Sequence, residues 1–357
     1  MNIHFLYNLF ITATFAFVLL TSCIKEIHPD LRTVSPKLVV EGAITTDSVP
    51  YQVRLTFSGP YQFGAFVPDT LLIVDAVVTI KDNTGRQSAM SYSGNGIYKT
   101  VDNSFIGTPE KSYQVEIKLK DGREYISIPE TIVQPVPIAS ISKVEFDYSA
   151  YDFQKPTDFK IFVDVDDPSS QQNFYRWEGY SWVPRKATGV PCGIQCIKWQ
   201  YCNQRIERKY LHYFSDAAIN GNRIVQRLVY RSPIYWFGKH YVDIGQLSMT
   251  REAFQFWKRF EEQSTKTGSI LDPLPSPIEG NVYNVNDPDD LALGYFSASG
   301  VSHKRVVLVP YNISQFLLDQ TARTFIKEGG CHLVFPNALE EPQIPAGWEN
   351  AEEIRVE

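Results

Sequence analysis

The chain has 357 residues, 43% of them apolar and 21% charged, a balance that excludes a disordered, collagen-like or coiled-coil protein and allows a sizeable core. A formal net charge of −6 without a basic block argues against nucleic acid as a partner. At roughly 100–200 residues per domain, the length predicts two domains behind an N-terminal leader.

Residues 1–22 carry no Lys, Arg, Asp or Glu, and Phe5 to Leu20 is almost wholly apolar. That run has the length of a secretory core and is short of the roughly 20 apolar residues a bilayer span needs. It therefore reads as a signal peptide. Leu20-Thr21-Ser22-Cys23 resembles the lipobox of bacterial lipoproteins, which implies cleavage before Cys23 and acylation of its thiol. Two or three acyl chains, at about 0.8 kcal/mol per buried CH₂, make such an anchor effectively permanent. Residues 23–36 lack periodicity and read as the lipidated tether. The expected location is the outer membrane, with the periplasmic and surface-exposed leaflets both open.

Four cysteines remain: Cys192, Cys196, Cys202 and Cys331. An exported chain meets an oxidising compartment, so an even count favours disulfides, with three connectivities possible. Free thiols are a second reading. A zinc site is a third, which the spacing disfavours because it does not repeat the usual short-spaced ligand pairs; no metal and no cofactor are expected.

From Lys37 the pattern is β. Leu38 to Ile44 is a strand, and in Tyr51 to Phe57 the residues Tyr51, Val53, Leu55 and Phe57 alternate with polar ones, the mark of one buried face. Ile73 to Ile80, Gly96 to Lys99, Tyr113 to Leu119 and Tyr125 to Ile128 follow, the last two joined across Asp121-Gly122, a strong hairpin signal. About seven strands in roughly 100 residues predict an immunoglobulin-like β-sandwich over 37–134.

Prolines between Pro129 and Pro137 make a stiff connection into a second β-rich domain, 135–357. Ser142 to Phe146 and Phe159 to Val165 are its first strands. Asp164, Asp166 and Asp167 lack the Gly and distal Glu of a loop-type calcium site and read as a solvated strand end. Aromatic residues concentrate between Phe174 and Tyr241, with four of the six tryptophans. Trp177, Trp182, Trp199 and Tyr201 are either sheet packing or a recognition surface for a protein or a sugar. Ala253, Phe256, Trp257 and Phe260 stand at helical spacing and predict a helix over 250–264; a weaker pattern predicts another over 314–327. The expected fold is thus mainly β, two immunoglobulin-like sandwiches, the second with one or two packed helices.

Several segments carry a resemblance. Leu38-Val39-Val40-Glu41-Gly42, Pro50-Tyr51-Gln52-Val53-Arg54-Leu55, Phe174-Tyr175-Arg176-Trp177, Phe256-Trp257, the run Gly268 to Val282 and Leu293-Gly294-Tyr295-Phe296-Ser297-Ala298-Ser299 are similar to a Bacteroidota lipoprotein family known as domain of unknown function 4249. The resemblance covers nearly all the mature chain, and the tail from Cys331 departs from it. Pro273, Pro275 and Pro277 at alternate positions force an extended segment, either a strap across the sandwich or a docking surface. The resemblance implies an accessory role beside a TonB-dependent outer-membrane transporter and brings no enzyme activity. There is no G-x-S-x-G, H-E-x-x-H or phosphate loop, and His212, His240, His303 and His332 have no sequence neighbour suggesting a triad. The expectation is a lipid-anchored, non-enzymatic binding component of transport; the alternative is a structural or adhesive, glycan-binding envelope module.

Overall fold

The structure is a computed structural model that describes residues 35–59, 68–148, 156–193, 196–207, 212–236, 238–264, 278–287, 289–311, 327–340 and 343–356. The signal peptide, Cys23, nearly all the tether, Pro273, Pro275, Pro277 and the expected helix over 314–327 up to residue 326 lie outside them, as do the side chains of Cys192 and Cys196. Residues Lys37–Glu357 form one compact unit, which holds every described strand and helix.

The front segment supplies β1 (Leu38–Thr45), β2 (Gln52–Phe57), β3 (Val77–Asp82), β4 (Gln87–Tyr92), β5 (Ile97–Thr100), β6 (Ser112–Lys118), β7 (Glu124–Ser127) and β8 (Glu130–Thr131). Then come β9 (Ile138–Tyr148), β10 (Pro156–Val165), β11 (Phe174–Gly193), β12 (Cys196–Glu207), β13 (His212–Ser215), β14 (Ile224–Pro233) and β15 (His240–Ser248). A helix, Arg251–Ser264, precedes β16 (Glu279–Asn284) and β17 (Leu291–Pro310). A turn of helix at Cys331–Val334, β18 (Ala338–Glu340) and β19 (Glu352–Val356) complete the described chain.

The protein is mainly β, as its alternating runs require. The strands run β1-β2-β5-β4-β3-β6-β7-β16-β17, and β17 pairs in parallel with β1. The result is a closed ring of nine strands. Left to itself, the front segment would expose β1 and β7 as free edges, an invitation to foreign pairing. Two C-terminal strands, β16 and the first half of β17, occupy both edges. Inward residues of the alternating runs, among them Val40, Val53, Leu55, Ile80, Val115, Ile117 and Phe296, fill the interior.

Two front-segment details differ from the sequence pattern. The run from Ile73 becomes regular only at Val77, because Ala76 N–H donates to the Tyr98 hydroxyl (3.0 Å) and Leu72 makes an isolated bridge to Thr56. β4 escapes the pattern because its two inward residues, Ser88 and Met90, give weak apolar periodicity.

The second core lies between two layers. β14-β10-β9 is a three-stranded sheet; across from it run β12, β11, β15 and β17, with β13 beside β11 and β19 beside β17. Phe159, Ile161 and Val163 from one layer meet Tyr175, Trp177, Val242, Ile244 and Leu308 from the other. β17 serves both cores. Its residues 293–299 pair with β1 and residues 300–308 with β15, a strand of about 65 Å at ~3.3 Å per residue. On the outer face of β11, β15 and β17 the helix packs through Ala253 and Phe256 onto Phe174, Leu247 and Tyr295.

Candidate binding surface on the long hairpin

β15 pairs with β11 only from Tyr175 to Trp182, so the hairpin of β11 and β12 continues beyond its neighbour. Two strands without a sheet on both sides would be marginal. The C-terminal tail supports this one: β18 pairs with Cys202, Asn203 and Gln204, Lys327 bridges to Ala187, and Cys202 is bonded to Cys331. The two Cα atoms are 6.0 Å apart, within the usual disulfide range.

Residues opposite one another in an antiparallel pair share a face. The register Tyr180↔Glu207, Trp182↔Arg205 and Lys186↔Tyr201 therefore gathers Tyr180, Trp182, Lys186, Trp199, Tyr201 and Arg205 on one side. The Lys186 ammonium lies 4.3 Å from the Trp199 ring centroid, 4.5 Å from Trp236 and 5.7 Å from Tyr201. Trp199 is 47% exposed and Tyr201 40%. Nearer the sheet, Trp182 and Tyr180 are covered by Tyr241, Val307 and Trp348, and the Arg205 guanidinium stacks 3.8 Å over Tyr180.

The opposite face of the hairpin is buried. Arg185 is only 9% exposed and is held between the rings of Tyr235 (3.9 Å) and Phe335 (4.5 Å). Its Nε and Nη1 have no hydrogen-bond partner among the described residues. Burial pulls its pKa below the ordinary arginine value. Beside it, Ala187, Cys202, Cys331 and Phe335 form a small apolar cluster.

The sequence candidates thus separate. Trp177 is fully buried, donating from Nε1 to Gln246 Oε1 (2.8 Å), and belongs to the core rather than to a surface: its odd-numbered face of β11 looks at the three-stranded sheet. Trp182 is half-buried, while Trp199 and Tyr201 face water. Asp164 and Asp166 pair with Arg223 at 3.2 and 3.0 Å, and Asp167 accepts from the Tyr175 hydroxyl and Gly221 N–H.

Sequence spacing missed the charged network on the same outer face. Asp243, 1% exposed, accepts from His303 Nδ1 (2.7 Å) and Arg305 Nε (2.8 Å), and His303 Nε2 reaches Asp47 at 3.0 Å. These hydrogen bonds raise the His303 pKa to about 10 and hold Asp243 below the usual carboxylate range. His240 is the reverse case. Fully buried, its ring next to Phe159 and its Nδ1 2.9 Å from the Ser232 hydroxyl, it is pushed down to about 3 by desolvation. A shallow depression of about 400 Å³ beside Arg305, lined by Lys304, Gly347 and Glu349, adds no histidine or thiol.

Residues 24–305 match the family model described as Domain of unknown function (DUF4249), and the chain belongs to that family. The match begins directly after Cys23 and ends inside β17, so Cys331, β18 and β19 lie beyond it. No curated protein matches the chain.

Proposed function

We propose that the protein is an outer-membrane lipoprotein, anchored through acylated Cys23, that acts as a binding or accessory component of a TonB-dependent transport system. The observation that carries this reading is the position of the family match, which starts at residue 24, one residue behind the lipobox-like Leu20-Thr21-Ser22-Cys23. What the family resemblance implies, an accessory role beside a TonB-dependent transporter, supports the partner. Among the described residues no helix is long and apolar enough to cross a membrane.

A non-enzymatic role is part of the proposal. His303 is the histidine the fold surrounds with carboxylates, but both ring nitrogens are engaged and the ring is held protonated, which supports a structural ion pair over a general base. The finer architecture, two immunoglobulin-like halves, is also a proposal. Two separate enclosed clusters support two cores, and closure through β17 makes the first half barrel-like.

Two measurements test this. Intact-mass analysis of membrane-extracted protein should show a chain beginning at acylated Cys23, and Cys23→Ser should leave the precursor uncleaved. Gentle detergent extraction of the outer membrane, followed by affinity capture, should bring down a TonB-dependent barrel; an unprocessed amino terminus, or recovery of a monomer alone, would overturn the reading.

A further inference from the structure

We propose that the face of the β11–β12 hairpin bearing Lys186, Trp199 and Tyr201 is a binding site for an anionic saccharide, a sugar chain bearing carboxylate or sulfate groups. Trp199 and Tyr201 are alternate residues of one strand, so their rings stand on one face about 7 Å apart along it. Each is 40% exposed or more, whereas Trp182, Tyr180 and Trp236 on the same side are largely covered. Flat C–H faces of sugar rings stack on such rings while their hydroxyls stay in water, which an apolar peptide anchor would not require.

Charge supplies the second part. The chain is acidic overall, at −6, yet no ion pair involves Lys186, Arg185 or Lys327 among the described residues, where their partners are rings. Glu340 stands opposite Cys202, on the other face of the hairpin from Lys186 and Tyr201, where it accepts from Gln200 (3.2 Å). Among the described residues, then, Lys186 has no carboxylate partner and stands among the very rings a sugar would cover, and the buried Arg185 guanidinium adds to the positive field from beneath. An acidic sugar supplies both the face for stacking and the missing counter-charge. Lys186 would contact the anionic group, Trp199 and Tyr201 the ring faces.

Sugar binding at this hairpin does not depend on the transport role. The test is an array of uronate-bearing, sulfated and neutral oligosaccharides probed with the purified full chain, each variant first shown to retain its far-UV spectrum. Wild type should bind anionic spots about tenfold above their neutral counterparts. Trp199→Ala should lose about tenfold on all of them, as loss of one stacked ring implies. Lys186→Gln should retain weak binding while abolishing the preference for charge. Uronate and sulfate spots distinguish the two anionic groups. Equal binding of neutral and anionic spots, binding to none, or variants indistinguishable from wild type would each overturn the proposal, whatever the transporter capture shows.

Discussion

Asp243 shows how this protein tolerates a carboxylate that is almost completely buried. Two cations, His303 and Arg305, bond its two oxygens, and Asp47 holds the far side of the imidazole. The His303 pKa is raised from 6.5 to about 10, so its stabilising effect is complete below about pH 6.5 and disappears as pH rises through 10. Asp243 is shifted down, so its effect is present above the ordinary Asp range and fails as pH falls. Both are intact near pH 6. About a third of the His303 side chain faces water, and screening reduces the effect to about 1–2 kcal/mol. Urea denaturation should therefore find His303→Asn less stable than wild type by that amount at pH 6 and nearly equal to it above pH 10. A gap that persists at high pH would show that packing, and not the ion pair, is what His303 contributes. None of this was legible in the sequence, because the partners lie 60 and 256 positions from His303.

Elements were easier to read, since periodicity is local. The helix over 251–264 and the front strands follow from their spacing, whereas Trp177 and Trp182, grouped as one candidate surface by the sequence reading, fall on opposite faces of β11 because their positions differ in parity. Which parity faces inward is another matter. Near the start of β11 Arg176 and Glu178 mark the outward side, but from Tyr180 onward both parities carry aromatic or apolar residues and the inward side depends on the three-stranded sheet that covers it. Cysteine spacing had the same limit: it supplied a count, whereas the Cys202–Cys331 bond joins positions 129 residues apart. That bond fixes the part of the tail around Cys331, which is held otherwise by three residues of β18 pairing, the Lys327 bridge and buried Phe335, ahead of β19 and Trp348, which anchor the chain's end on β17 and β15. Closing so long a loop stabilises by about 2–4 kcal/mol in typical proteins. Cys331→Ser should lower the urea midpoint accordingly, and reductant should lower wild type by the same amount while leaving the variant unchanged. A wild type indifferent to reductant would mean the tail is secured by packing alone.

At the scale of the molecule, the segments that carry the family resemblance meet one another. Leu38 to Gly42 and Leu293 to Ser299, separated by some 250 positions in the chain, are the two sides of the parallel seam, with Val40 opposite Gly294 and Gly42 opposite Phe296. Phe256 packs on Tyr295 of the second segment at 4.7 Å. These two stretches of the resemblance close the ring between β1 and β17. Gly294 is a tight point of that seam. It adopts φ +84°, and a Cβ there would lie 2.1 Å from the Val40 carbonyl oxygen, on the strand it must pair with. Gly85 has nearly the same φ, +87°, with nothing within 4 Å of an added Cβ. Comparing the two isolates the seam from the backbone penalty. Gly85→Ala should cost about 1 kcal/mol, the conformational term alone. Gly294→Ala should cost about 3 kcal/mol or more, with faster amide exchange in β1 and β16 than in β10 and β14. Equal losses for the two variants would mean that β1 can shift freely along β17, and that the ring is held shut by its interior rather than by its seam.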